Sequence, residues 1–249
     1  MEVVPCYYKT EAIVLRSIRL READRVIHLY TSARGRVGAV AKGVRRTRSR
    51  FGGRLEPFFR LSLVMYEGRG ELHTVTQAET IESYPRLRER GSSLNAAVAA
   101  CESVLRLFPE GEGNVATYNL LCLELQLLDE MPSAARPANL LAFRLKLLLT
   151  AGFVPELSAC ARCGASLDAE RSGGEALRFS SAAGGVICPD CAGGDGFTFS
   201  PAAHSFMVSA LAHPLQAVQD AGSAPLTQVD RAITGTVEYH ANVRLRSVS

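Results

Sequence analysis

Short segments rich in valine, isoleucine, leucine and aromatic residues follow one another through the first third of the chain. Turn-forming residues separate them, and Gly68-Arg69-Gly70 is typical of a hairpin. The pattern predicts five antiparallel strands, at 8–18, 25–31, 36–41, 58–66 and 71–81. Five strands in so short a stretch favour a small barrel. The OB-fold is the commonest five-stranded type, and an SH3-like barrel is the alternative.

After residue 91 the apolar positions recur every three or four residues, which predicts helices. We expect helices that end near 108, 130, 151 and 212, and a last helix over 227–246 that follows a loop at 221–225. The predicted starts of the first four are marked by Ser92-Ser93, Asn114, Arg136-Pro137 and Ser200-Pro201.

The change of pattern along the chain predicts a multidomain α+β protein. Residues 1–85 form the expected OB-fold, which is the candidate nucleic-acid-binding domain. A helical domain is expected over 86–157 and 197–249. The glycine- and alanine-rich segment 158–196 interrupts it and contains two cysteine pairs, so we interpret it as an inserted four-cysteine zinc-binding module.

Composition is that of an ordinary globular protein. Of 249 residues, 47% are hydrophobic and 21% charged, which argues against a disordered chain. No apolar run approaches the roughly 20 residues that cross a bilayer, and the N-terminus lacks the basic and then apolar pattern of a secretory signal. Seven cysteines, an odd number, suit a reducing compartment. We therefore expect a cytoplasmic protein with no membrane partner.

Charge is divided unevenly along the chain. Residues 1–90 hold 18 Lys/Arg and 10 Asp/Glu, a balance of +8, whereas the remaining residues hold 10 and 15, a balance of −5. Such asymmetry indicates a nucleic acid or another anionic partner for the first third of the chain.

The basic residues concentrate in one segment, residues 42–54, which holds six of them and no acid. Arg46, Arg48 and Arg50 alternate with small hydroxyl residues, so an extended chain would place them on one face at about 6–7 Å intervals. This spacing resembles that of phosphates along a strand, and arginine suits phosphate oxygens. A solvated loop without a partner, or a membrane- or heparin-binding loop, remains the alternative.

Aromatic residues near this segment are possible platforms for stacking bases. Because several of them alternate within a predicted strand, we expect at least half to fill the barrel instead. The candidates are Phe51, Phe58, Phe59 and Tyr66.

The paired cysteines have the spacing C-x2-C, 24 residues, C-x2-C. Two thiolate pairs at this spacing can each hold one edge of a tetrahedron, which predicts one zinc ion. Four thiolates leave no open coordination position, so the site is expected to be structural; a redox dithiol is the alternative. The ligands would be Cys160, Cys163, Cys188 and Cys191.

Catalytic motifs are missing from the sequence. There is no Walker lysine loop, no G-x-S-x-G and no G-x-G-x-x-G, and the five histidines are scattered. Glu22 and Asp24 are more typical of turn or surface acids than of a magnesium site. We therefore predict that the protein is not an enzyme, with a metal-dependent nuclease as the distant alternative.

Several ordered segments resemble the bacterial RecO family of recombination mediators. The first run comprises 11–16, 22–25, 29–31, 35–37, 41–49 and 55–58, and the match extends through Gly70-Glu71-Leu72. Gly152-Phe153-Val154-Pro155, the segments 160–164 and 184–188, and the ending at 245–247 are also similar to that family. The resemblance covers nearly the whole chain and is weakest over 91–137.

The resemblance implies an OB-fold, a helical domain and an interposed zinc module. It also implies binding of single- and double-stranded DNA, annealing of complementary strands, and action with RecR to load RecA onto DNA coated by single-strand-binding protein, in association with the nucleoid. A zinc-ribbon adaptor that binds protein or RNA is the alternative. The implied DNA-binding residues are Lys42, Arg45, Arg46, Arg48, Arg50 and Arg54, with Arg34 and Arg36 as neighbours.

Overall fold

The computed structural model describes residues 6–20, 22–44, 49, 51–167, 177–194, 196–246 and 248. The chain divides between Pro132 and Ser133 into two compact units. The sequence predicts instead a boundary after residue 85. Compactness alone does not say which segments fold independently, so the three-part division predicted above stays a prediction.

Five strands of the first unit close into a barrel in the order β1-β2-β3-β5-β4. Neighbouring strands are antiparallel except β3 and β5, which are parallel, so the prediction of an entirely antiparallel barrel is wrong at that one pair. This order is that of an OB-fold, as predicted. The strands are β1 (Cys6–Arg19), β2 (Arg25–Thr31), β3 (Gly35–Ala41), β4 (Arg60–Glu67) and β5 (His73–Glu82).

Alternate residues of these strands fill the barrel, as the period of two requires. The long strand β1 pairs with β4 through its first half and with β2 through its second half, and a bulge between Val14 and Arg16 interrupts its register with β2. The core includes Ile27, Leu29, Val37, Ala39, Leu61, Leu63, Met65 and Val75.

Three helices complete the first unit, namely α1 (Pro85–Glu89), α2 (Gly91–Leu107) and α3 (Val115–Glu130). Asn114 caps α3 as predicted, since its side chain accepts a hydrogen bond from the N–H of Thr117. Ser93 does not cap α2. The helix already begins at Gly91, and Ser93 is buried within its first turn.

Contacts between charged and aromatic side chains join the barrel to α3. Arg60 on β4 donates to Glu11 on β1 at 2.8 Å, and the Tyr118 hydroxyl donates to the same carboxylate at 3.1 Å. These bonds lower the pKa of Glu11, because both favour its ionised form.

The second unit contains α4 (Pro137–Ala151), α5 (Pro201–Ala212) and α6 (Ser223–Ala241). The first two agree with the sequence, and Ser200 caps α5 by accepting from the N–H of Ala203. The prediction for α6 is wrong at both ends. Its first turn includes Pro225, where a missing N–H costs nothing, and Asn242 ends it in the left-handed conformation.

A small antiparallel sheet, in the order β7-β6-β8, belongs to the same unit. Its strands are β6 (Leu177–Ser180), β7 (Gly185–Ile187) and β8 (Phe197–Phe199). Strand β6 pairs with β7 in a hairpin between the two cysteine pairs, and β8 pairs with the other edge of β6. No helix among the described residues is long and apolar enough to span a membrane.

Candidate nucleic-acid interface and metal centre

The basic segment leaves the barrel at the end of β3 and is fastened on both sides of its arginine-rich part. At its start, Asp24 accepts a hydrogen bond from the N–H of Gly43 at 2.8 Å. At its end, Phe51 and Leu55 are 1% and 2% exposed and pack in the barrel core. Burial of these two apolar side chains therefore ties a highly charged segment to the barrel.

Two of the predicted DNA-binding residues in this segment are described, and both are exposed. Lys42 directly follows β3, and Arg54 donates to the carbonyl of Phe51 at 3.4 Å. The remaining members of the predicted set lie outside the described residues, so their role stays a prediction. These are Arg45, Arg46, Arg48 and Arg50.

Arg34 lies at the turn between β2 and β3, where it makes an ion pair with Glu67. Its guanidinium carbon also lies 4.0 Å from the centre of the Tyr8 ring, in a cation–π contact. The Tyr8 hydroxyl is hydrogen-bonded to Nδ1 of His73 at 2.7 Å. Burial raises the pKa of Tyr8 to about 12, so this phenol stays neutral at physiological pH.

Arg36 contacts the helical part of the same unit. One guanidinium nitrogen donates to the carbonyl of Leu105 at 2.5 Å, and another lies 3.4 Å from the carboxylate of Glu110. Both arginines at this turn thus have partners within the protein, so part of their charge is already balanced. These contacts do not test whether the two arginines bind DNA, so that role stays a prediction.

Three of the four aromatic candidates pack in or on the core, which agrees with the expectation that at least half fill the barrel. Alternation does not explain which, because Phe58 and Phe59 precede β4. Phe58, at 5% exposure, is buried like Phe51, and the half-buried Phe59 packs on the core with the guanidinium of Arg88 4.1 Å from its ring centre. Tyr66 alone among the four lies on the outer face of β4, next to Tyr7 of β1. Sequence reasoning missed Tyr7, although its position two residues before Lys9 and four before Glu11 on one strand face could have placed it outside.

The four predicted ligands converge in the second unit, with all their sulfur atoms within 4.8 Å of one another. The first pair lies in a turn that the left-handed Gly164 closes, and the second lies in the short 3-10 turn Pro189–Cys191 after β7. A hydrogen bond of 2.8 Å from the N–H of Ala161 to the carbonyl of Val186 holds the two turns together.

The donor set fits a tetrahedral metal ion. Zinc–sulfur bonds of about 2.3 Å place the sulfurs of a tetrahedron about 3.8 Å apart, and Cys163 and Cys188 are separated by 3.9 Å. The Cys160 sulfur also accepts from the N–H of Cys188 at 3.3 Å. Among the described residues, no other group of three or more His, Cys, Asp or Glu side chains could hold a metal ion.

Electrostatics within the cluster favour a cation. Burial opposes ionisation of Cys160, but backbone N–H groups that point at its sulfur outweigh burial and lower its pKa to about 6. Hydrogen bonds that the Cys191 thiol donates to neighbouring sulfurs, first Cys188 and then Cys163, favour its protonated form and raise the pKa of Cys191 to about 12. Four thiols this close cannot all ionise unless a positive ion offsets their repulsion.

The described residues give Glu22 and Asp24 no support as a metal site. Asp24 is engaged by the N–H of Gly43, and the two acids do not belong to a cluster of three or more potential ligands among the described residues. Their geometry gives no support to the nuclease alternative.

Comparisons with known proteins match one family along nearly the whole chain. Residues 1–84 match the family described as Recombination protein O N terminal, and residues 88–249 match Recombination protein O C terminal. The DNA repair protein RecO of Rubrobacter xylanophilus is 44% identical over 184 residues, 74% of this chain and 71% of that protein. The DNA repair protein RecO of a Nocardioides species is 36% identical over 244 residues, 97% and 98% of the two chains. The chain therefore belongs to the RecO family of DNA repair proteins.

Proposed function

We propose that this chain binds single- and double-stranded DNA through the barrel of its first unit and anneals complementary strands. With RecR, it would then help load RecA onto DNA coated by single-strand-binding protein. The observation that carries the DNA-binding part is the charge balance of +8 over residues 1–90, concentrated in a segment that the barrel core anchors. The roles with RecR, RecA and single-strand-binding protein rest on membership of the family.

The proposed mechanism is electrostatic. Lysine and arginine side chains that neutralise phosphates release counterions, so binding weakens as salt rises. A basic surface also reduces the repulsion between two strands held on it, which lets complementary bases meet without ATP. Under this proposal the protein acts as a binder rather than an enzyme, and it works in the cytoplasm with the nucleoid.

The proposed metal is one structural zinc ion held by Cys160, Cys163, Cys188 and Cys191. When bound, it cross-links the two cysteine turns of the second unit, with no coordination position left for a substrate. The convergence of the sulfurs supports this proposal, as do the free thiols of these four cysteines. Stoichiometric zinc in freshly purified protein is the expected result of metal analysis.

Reversal of three charges tests the DNA-binding part. Arg46→Glu, Arg48→Glu and Arg50→Glu together are expected to abolish DNA binding near physiological salt. At low salt, loss of three phosphate contacts should reduce the slope of log affinity against log salt for single strands by about 2. Filter binding or anisotropy across a salt series measures the affinity and its salt dependence, and circular dichroism verifies the fold.

A matched control distinguishes the effect of the basic segment from the effect of the change in net charge. Arg178→Glu, Arg231→Glu and Arg244→Glu make the same change of charge in the second unit. This triple variant is expected to retain most of the affinity and the annealing activity. If the two triple variants weaken binding equally, the assignment to the basic segment is wrong. If the wild-type protein binds DNA but anneals no strands, an adaptor explains the family fold better than an annealing protein.

A further inference from the structure

Aromatic rings of the first unit differ sharply in what covers them. Most described rings are buried and serve the core, namely Tyr30, Phe51, Phe58, Tyr84, Phe108 and Tyr118. Two half-buried rings are covered by arginines, Tyr8 by Arg34 and Phe59 by Arg88. Tyr7 and Tyr66 remain, of which Tyr7 is 69% exposed and Tyr66 is half-buried.

These two tyrosines form a pair on the outer face of the barrel. Tyr7 and Tyr66 are direct partners in the antiparallel register of β1 and β4. Their ring centres are 5.1 Å apart with 50° between the ring planes. Because one ring supports the other, the pair presents a broad aromatic surface to solvent at little further entropy cost.

The sheet register places this pair near the start of the basic segment. Tyr66 is the partner of Thr74 on β5, and Thr74 is the partner of Val40 on β3. Adjacent strands lie about 4.8 Å apart, so Val40 is about 10 Å from Tyr66 across the sheet. The exposed Lys42 follows only two residues later. A strand with a phosphate on Lys42 can therefore reach the tyrosines.

The charged residues near the two tyrosines do not repel an anionic DNA strand. The exposed Lys9 lies next to Tyr7 on the same strand face. The nearest acid in sequence, Glu67, is neutralised by its ion pair with Arg34. Arg69 and Glu71, both exposed in the β4–β5 connection, balance each other in charge.

Gly68 leaves one edge of the platform open. A Cβ atom at this position would lie 3.3 Å from Cε1 of Tyr66, so a side chain there would press on the ring. Glycine at this position lets the connection turn away without covering the ring face.

We propose that Tyr7 and Tyr66 form a platform on which unpaired DNA bases stack, and that this platform makes the protein prefer single strands to duplex. The inference rests on the DNA binding proposed above and adds the element that recognises the state of the strand. A base within a duplex already has its faces stacked on its neighbours, whereas an unpaired base can place one face on the tyrosines. Phosphate contacts alone would give no such preference.

Substitution of Tyr7 tests the platform. Tyr7→Val keeps a residue that favours a strand but removes the ring, and it is expected to weaken single-strand affinity about tenfold, as loss of one stacked base does. Duplex affinity should change less than about twofold. Tyr7→Phe keeps the ring and should bind both like the wild type. Equal affinities of Tyr7→Val and wild type for single strands would overturn the proposal.

A fluorescent reporter gives a second, independent measurement. The chain has no tryptophan, so Tyr7→Trp introduces a single one. Oligothymidine is expected to quench and shift its emission at saturation, whereas a duplex of equal length should not. Tyr239→Trp places a similarly exposed reporter, 63% exposed in the wild type, in the second unit and should respond to neither.

The outcomes separate the two proposals. If the wild type binds single strands but the tryptophan emission of the Tyr7→Trp variant is the same with oligothymidine as without it, the platform is wrong and the proposed DNA binding stands. If the wild type binds no DNA even at low salt, both are wrong. If Tyr7→Val weakens single-strand and duplex binding equally, Tyr7 has no part in strand preference and the platform is again wrong.

Discussion

Glu124 is the least expected charged residue of the first unit. It lies on α3 with 1% of its surface exposed, and its Oε2 atom has no hydrogen-bond partner among the described residues. Burial raises the pKa of Glu124 to about 8, and its proximity adds to the effect of burial in raising the pKa of Cys101 on α2. The carboxyl group is therefore mostly protonated in the folded protein at neutral pH.

This protonation makes stability depend on pH. In the unfolded chain a glutamate titrates near 4.3, so between about pH 4.5 and pH 8 the folded state binds more protons than the unfolded state. The free energy of unfolding therefore falls as pH rises through this window. Glu124→Gln removes the ionisable group and is expected to stabilise the protein by about 1–3 kcal/mol at pH 8.

Urea denaturation at pH 5 and pH 8 measures this effect. The gain from Glu124→Gln should be much smaller at about pH 5, because this pH is close to the pKa of the unfolded glutamate and its protonation on folding then costs little free energy. Glu130→Gln, at an exposed position on the same helix, serves as the control and should change stability little at either pH. An equal gain at both values of pH would contradict the burial of an unpaired carboxyl group.

At the scale of elements, a close backbone approach joins the β2–β3 turn to the connection between α2 and α3. A Cβ atom on Gly113 would lie 2.2 Å from the carbonyl oxygen of Ala33, and one on Gly35 would lie 1.8 Å from that of Glu112. The N–H of Gly111 also donates to the carbonyl of Arg36 at 3.2 Å. Glycine at both positions is what lets the helices dock on the barrel.

Gly113→Ala tests this approach, because the added methyl group meets backbone atoms that cannot rotate away. We expect a loss of about 1–3 kcal/mol in the free energy of unfolding, measured by urea denaturation. Gly91→Ala adds the same methyl group at the start of α2, where no atom lies within 4 Å, and should be neutral or slightly stabilising. Similar stabilities of the two variants would show that the β2–β3 turn can move away.

At the scale of the whole molecule, the metal cluster and the basic segment belong to different compact units. We therefore expect the proposed zinc to stabilise the second unit, and DNA binding by the basic segment of the first unit to depend little on it. Metal binding contributes to folding wherever the site exists only in the folded state.

Replacement of one proposed ligand tests whether zinc supports the stability of the second unit, DNA binding or both. Cys163→Ser is expected to reduce bound zinc well below one ion per chain and to lower the melting temperature of the second unit, because the two cysteine turns lose their cross-link. Single-strand affinity at low temperature should stay within about twofold of the wild type. Metal analysis, differential scanning calorimetry and anisotropy measure the three quantities. Cys6→Ser, at an exposed cysteine of the first unit, should keep its zinc.

Much of the secondary structure could be predicted from the sequence, because secondary structure depends largely on residues that are close together in the chain. Strand β2 and helices α4 and α5 begin and end as predicted, since alternation, capping residues and proline act within a few positions. The start of α6 was missed because Pro225 is as compatible with a first helical turn as with a loop. Ser93 was misjudged because burial, which the sequence does not display, decided its place.

The sequence by itself determined the five-stranded barrel, the basic segment and the four cysteines that converge, because periodicity, charge density and the spacing of cysteine pairs are properties of short stretches. Only the tertiary structure decided which side chains meet across long separations. It paired Tyr7 with Tyr66, matched Arg34 with Glu67, and joined β3 to β5 in parallel. Register and burial arise from packing between distant segments, and no local pattern specifies them.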